Sequence, residues 1–129
     1  MNLVYIVMGL ALVQYLYFGF AVGSARGRYG VPAPASSGHE MFDRYNRVHL
    51  NTLELLVVLV PALPLFAYYI SPTWAAALGA VYLVGRFVYF FSYIKDPKTR
   101  GAGYGLSFLP VALLLLGGLG GAIALQFRG

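Results

Sequence analysis

The chain contains no cysteine. That excludes disulfides, thiolate metal sites and a thiol nucleophile of the protein's own, and it leaves the redox compartment unreadable. Charge is scarce as well. Only 10% of the 129 residues are Asp, Glu, Lys or Arg, against about 25% in an average soluble protein. With 60% hydrophobic residues and a mean hydropathy of +0.72, a soluble globule could not cover its surface with polar groups. A disordered chain is excluded by the same composition. Three long stretches lack charge altogether: Met1 to Ala25, Leu55 to Gly85, and Gly101 to Phe127.

What is present fits between those stretches. A bilayer core of about 30 Å needs about 20 helical residues. The middle charge-free stretch is too long for one span and is broken at Ser71-Pro72. The chain therefore reads as all-α, an integral membrane four-helix bundle forming one domain over 1–129. The helices are expected at about 2–25, 42–69, 73–95 and 103–127. The first run has no basic leader and exceeds the roughly 7–15 apolar residues of a signal peptide, so it is retained as a helix. Pro32 and Pro34 lie in a Gly/Ser/Pro connection, and Asp96-Pro97 stops the third helix, because a residue before proline disfavours the helical region. Pro61 and Pro64 are expected to kink the second helix.

The net charge of +5 comes from nine Lys and Arg against four Asp and Glu. Arg26, Arg28, Arg44 and Arg47 flank the first connection, and Lys95, Lys98 and Arg100 lie in the third. The positive-inside rule then places connections one and three in the cytoplasm and both termini outside. The host membrane, bacterial inner membrane or endoplasmic reticulum, is left open. A nucleic-acid partner is not expected, since no basic segment outside the membrane carries interleaved aromatics.

Two polar stripes are expected to meet at one depth. Arg44, Arg47, Asn51 and Glu54 are spaced 3, 4 and 3, which places them on one helix face. Tyr82, Arg86, Tyr89 and Tyr93 are spaced 4, 3 and 4 on the next helix. Glu54 falls ~16 Å and Arg86 ~15 Å from the boundary near Asp43 and Asp96, at about 1.5 Å per residue. A charge there costs at least ~2.5–3.5 kcal/mol and should face the bundle interior with a partner. Glu54 and Arg86 are thus candidates for a structural ion pair. Arg47, Asn51, Tyr89, Tyr93 and Arg100 add a surplus of donors that such a pair does not need. A polar ligand pocket is the better reading, suited to a small zwitterion rich in carboxylates, with arginines on the carboxylates and Glu54 on an ammonium.

Other features carry less. His49 stands off the stripe's centre line and reads as packing or capping, and with His39 it makes no metal site. Gln14 is expected to form an interhelical hydrogen bond. Gly19-x-x-x-Gly23 and Gly117-x-x-x-Gly121 allow close helix packing. Trp74 and several tyrosines fit interfacial belts.

The segment Arg44-Tyr45-Asn46-Arg47-Val48-His49-Leu50-Asn51-Thr52-Leu53-Glu54 resembles the second-helix motif of the MAPEG family, the membrane-associated proteins of eicosanoid and glutathione metabolism. Val84-Gly85-Arg86-Phe87-Val88-Tyr89-Phe90-Phe91-Ser92-Tyr93, followed by Arg100, resembles that family's third-helix motif. Length, four spans and Ser24-Ala25-Arg26 before a Pro-rich connection agree, and the branch it looks most like is that of the microsomal glutathione transferases and leukotriene C4 synthase. The resemblance implies a homotrimer that binds glutathione between subunits near the cytoplasmic face. It implies that Arg47, Asn51 and Glu54 bind glutathione from one subunit, Tyr89 and Tyr93 from across the interface, with Arg26 and His49 also touching the peptide. Arg100 matches the arginine that stabilises the thiolate.

Two positions depart from the pattern. Leu55 stands where a family tyrosine often follows the glutamate, and Gly27 stands where leukotriene C4 synthase has a second arginine. The second departure disfavours leukotriene conjugation. The leading expectation is a glutathione transferase, with glutathione as co-substrate and a lipophilic electrophile drawn from the bilayer, and with lipid hydroperoxide reduction as a companion activity. The alternative is a non-enzymatic lipid-binding scaffold of the five-lipoxygenase-activating type. A small multidrug transporter would need a proton-exchanging acid in the first helix, which has only Gln14 there, and that reading is disfavoured.

Overall fold

Four long helices form in this computed structural model, which describes Met1–Arg128. They are α1 (Asn2–Tyr29), α2 (Glu40–Tyr69), α3 (Pro72–Lys95) and α4 (Gly101–Arg128), with a single 3-10 turn at Pro97–Thr99 between α3 and α4. Each long helix has the length and hydropathy to cross a membrane. The shortest, α3, has 24 residues and so reaches about 36 Å, enough for a ~30 Å hydrocarbon core.

The ends follow from local chemistry. α1 runs past the expected stop near residue 25 and carries Arg26 and Arg28 in its last turn, where cations meet the negative end of the helix dipole. It terminates at Gly30, whose φ of 67° is left-handed, a conformation glycine adopts without Cβ strain. The His39 ring accepts from the Met41 N–H at 3.0 Å and caps α2. The Ser71 hydroxyl accepts from the Trp74 N–H at 3.3 Å and caps α3. Asp96 ends α3 and accepts from the Lys98 N–H at 3.1 Å, which folds the third connection into a tight turn. α4 starts directly after that turn. α2 continues unbroken through Pro61 and Pro64.

α2 and α3 form the central pair, and α1 and α4 each pack against both. Leu56, Leu59, Leu63 and Phe66 of α2 bury against Val4 and Val7 of α1, Ala75 and Tyr82 of α3, and Val111 and Leu114 of α4. The outer faces carry exposed Leu, Ile, Val and Phe, among them Phe20, Leu113 and Leu116, which suits a lipid surround. Gln14 donates to the Leu83 carbonyl at 2.9 Å, the interhelical bond expected of it.

α3 and α4 approach closely at Gly85 and Gly103. A Cβ on Gly85 would lie 2.6 Å from the Leu106 carbonyl carbon, and one on Gly103 would collide with the Tyr89 backbone. Glycine at these two positions lets the backbones touch. That contact brings the start of α4 beside Tyr89.

Candidate functional site

The site grows from Arg86. Its side chain is fully buried in the bundle. Nη1 donates to Asn51 Oδ1 at 2.8 Å and to Thr52 Oγ1 at 3.1 Å, and Nε donates to Ser107 Oγ at 2.9 Å. The guanidinium lies over the Tyr89 ring, 4.3 Å from its centroid. Arg86 of α3 therefore ties α2 and α4 together. Nη2 and the Tyr82 hydroxyl are buried with no hydrogen-bond partner among the described residues.

Glu54 is not part of this network. The expected Glu54–Arg86 ion pair does not form within the chain: Arg86 is bonded to uncharged acceptors, and Glu54 is exposed. The reason is rotation about the helix axis. Thr52, Leu55 and Leu56 take the inward positions of that turn, which turns Leu53 and Glu54 outward. The single ion pair among the described residues joins Arg44 to Glu40 at 2.8 Å on one helix face. Arg44 also donates to the carbonyls of Ile94 and Lys95, at 2.8 and 3.2 Å, so it caps the C-terminal end of α3.

Beside the Arg86 network lies a cavity of about 320 Å³, at the small end of the ~300–1,000 Å³ usual for ligand sites. Arg47 and Asn51 of α2, Tyr89 and Tyr93 of α3, and Arg100, Gly101 and Tyr104 at the start of α4 line it. Two guanidinium groups, one carboxamide and three phenols line it, and among the described residues no carboxylate does. Such a lining favours an anionic ligand, and guanidinium geometry matches a carboxylate. A hollow of about 570 Å³ toward the helix ends shares Arg47 and Tyr93 with this cavity and adds Glu40, Asp43 and Arg44.

Five residues expected at the site thus meet there: Arg47, Asn51, Tyr89, Tyr93 and Arg100. They meet within one chain. Tyr89 and Tyr93 share the cavity with Arg47 and Asn51 of the same copy. Arg100 arrives because the 3-10 turn is only three residues long and α4 begins immediately after it.

Arg26, His49 and Glu54 lie elsewhere. Arg26 donates to the Ala35 carbonyl at 2.6 Å and sits 4.8 Å from the Phe42 ring centroid, holding the first connection against α2. His49 stacks on Tyr15 with centroids 4.4 Å apart, and its Nε2 packs over Gly19. It faces α1 and not the cavity.

Tyr104, Thr52 and Ser107 belong to the site and were missed in the sequence. A signal existed. Arg100, Tyr104 and Ser107 are spaced 4 and 3, a third polar stripe with the same rhythm as the other two. Two of its members lie inside the charge-free run of α4, where they read as incidental polar residues in a lipid-facing helix.

The chain matches the MAPEG family over residues 4–120. It is 44% identical to an uncharacterized protein of Synechocystis over 114 residues, covering 88% of this chain and 83% of that one. It is 38% identical to human microsomal glutathione S-transferase 2 over 112 residues, 86% of this chain and 76% of the relative. Bovine leukotriene C4 synthase is 30% identical over 123 residues, 92% of this chain and 82% of the relative. Four apolar helices, the polar stripes that converge on one cavity and a match across nearly the whole length agree: the chain belongs to the MAPEG family.

Proposed function

We propose that this protein is a multi-pass membrane glutathione transferase. One observation carries the reading: Arg47, Asn51, Tyr89, Tyr93, Arg100 and Tyr104 surround a single cavity that no carboxylate lines. Glutathione has two carboxylates and one ammonium, so a basic, phenol-rich lining suits it. The relatives named as glutathione S-transferases support the same substrate.

The mechanism follows from sulfur chemistry. A free thiol with a pKa of ~8.5 is mostly neutral at pH 7. A guanidinium near sulfur favours the thiolate, the reactive form. Arg100 is assigned that role. Arg47 and Asn51 hold the peptide's carboxylate and carbonyl oxygens, and Tyr89, Tyr93 and Tyr104 donate phenol hydrogen bonds. The thiol proton leaves to solvent on binding. The thiolate then attacks an electrophilic carbon of a lipophilic molecule from the bilayer. A carbon–sulfur bond forms while the bond from that carbon to a leaving group or epoxide oxygen breaks, and the departing anion or opened alkoxide takes a proton from solvent. With a lipid hydroperoxide as acceptor, two glutathione molecules would become the disulfide while the hydroperoxide becomes an alcohol and water.

The working assembly is proposed as a homotrimer with the Arg100 end on the cytoplasmic side. Arg26, His49 and Glu54, which lie off the cavity of their own chain, would then contact the peptide from a neighbouring copy or at the rim. The test is the ultraviolet thiolate absorbance of purified protein titrated with glutathione, together with conjugation of a model electrophile. A thiolate signal that disappears in Arg100→Ala is expected. Glutathione binding without any thiolate signal would overturn the mechanism, and absence of binding would favour a lipid-binding scaffold.

A further inference from the structure

Arg86 is buried in the bundle with no carboxylate partner among the described residues, yet it lines no part of the cavity. Burying a guanidinium that way is unfavourable unless its donors are used well. Each acceptor it meets is itself oriented. The Thr52 hydroxyl donates to the Val48 carbonyl at 2.7 Å, and the Ser107 hydroxyl donates to the Gly103 carbonyl at 2.7 Å. Both hydroxyl protons are therefore committed one turn back, which leaves oxygen lone pairs for Arg86.

Asn51 is the acceptor that also faces the cavity. A carboxamide can present its oxygen or its NH2 group to a ligand. A guanidinium has only donors, so it must take the oxygen. With Oδ1 held by Arg86 at 2.8 Å, the oxygen end is turned toward the guanidinium and Nδ2 is the end turned away from it. We infer that Arg86 is a positioning residue that locks the Asn51 carboxamide with its NH2 group toward the cavity, so that this wall accepts a carboxylate or carbonyl oxygen and rejects a cationic group.

This inference rests on the reading of the cavity as a glutathione site, and the experiment separates the two. Glutathione affinity is measured by calorimetry on the purified protein for wild type, Arg86→Gln, Asn51→Ala, the double variant and Asn51→Asp, with thermal midpoints alongside. Arg86→Gln and Asn51→Ala should each weaken glutathione binding on the order of tenfold, the effect of one hydrogen bond to a charged ligand group. In the double variant the loss should be no greater than in Asn51→Ala alone. In turnover, the Arg86→Gln loss should appear in the KM for glutathione more than in kcat. A purely structural Arg86 predicts additive losses in the double variant, and that result overturns the inference.

Asn51→Asp keeps Arg86 and works even if Arg86→Gln does not fold. Its carboxylate can still accept from Arg86, so the thermal midpoint should hold. It presents oxygen to the ligand, so glutathione binding should fall further than in Asn51→Ala. Wild-type affinity in Asn51→Asp would also overturn the inference. Wild type that binds no glutathione overturns both this inference and the proposed function, whereas binding with additive losses overturns this inference alone.

Discussion

The two ends of the bundle are built from the same four helices and solve different problems. At the Ser71 end the helices meet through Leu59, Leu63, Phe66 and Leu114. There Gly117 and Gly118 bring α4 against Phe66 and Leu65. At the Arg100 end the helices meet through hydrogen bonds from Arg86 and leave a cavity of about 320 Å³ beside them. Lipid is as apolar as leucine, so the Ser71 end is held by packing alone and gains from having no space. Polar groups in a membrane gain from meeting one another, so the Arg100 end can stay open and still be bound together. The comparison teaches that close packing and an open polar cavity are separable along the helix axes.

Replacements at each end test that separation. Arg100→Ala should act most strongly. Loss of one preorganised charge-stabilising donor typically lowers turnover by about 10²–10³-fold. Stopped-flow conjugation should show that loss while the thermal midpoint barely moves, since the Arg100 side chain is exposed and makes no ion pair among the described residues. Leu59→Ala at the opposite end should do the reverse. It should cost about 2 kcal/mol, the low end for a buried leucine, because only packing is lost where lipid is as apolar as the core. Thermal unfolding in detergent would record it, with glutathione affinity unchanged. A large change in affinity would break the comparison.

Gly103→Ala bridges the two cases. Its Cβ would collide with the Tyr89 backbone, so α4 must move away from a cavity wall. A destabilisation of about 1–3 kcal/mol is expected, together with a several-fold weaker glutathione interaction seen by calorimetry. Tyr104→Phe should have the smallest effect. It removes one phenol from the lining and keeps the ring, so the loss should be about three- to tenfold in glutathione affinity, with no change in thermal midpoint. An unaltered affinity would remove Tyr104 from the site.

The corrections share one cause. Depth along a helix was legible, because each residue advances a fixed ~1.5 Å. Asn51, Arg86 and Ser107 do meet at one level. Rotation was less legible. Glu54 and Arg86 lie at similar depth, yet Glu54 is turned outward by the packing of Thr52, Leu55 and Leu56. His49 is committed to Tyr15 of α1 for the same kind of reason. Arg26 is held by the carbonyl of Ala35, in a connection whose path has no periodicity to read. Tyr104 and Ser107 were hidden by their setting, since polar residues within an apolar run signal nothing until a neighbouring helix places a partner beside them.

The sequence by itself determined that the chain forms four membrane-length helices, where the turns fall, and which faces of α2 and α3 carry the polar stripes. Those properties depend on composition, proline and glycine placement and the 3.6-residue period, all of them local. Tertiary structure alone decided which members of the stripes look into the cavity, that α4 supplies a third wall, and that a buried arginine is satisfied by an amide and two hydroxyls. Those outcomes depend on how each helix is rotated against its neighbours. That rotation is set by side-chain packing between segments far apart in the chain, such as Gly85 against Leu106 and Gly103 against Tyr89.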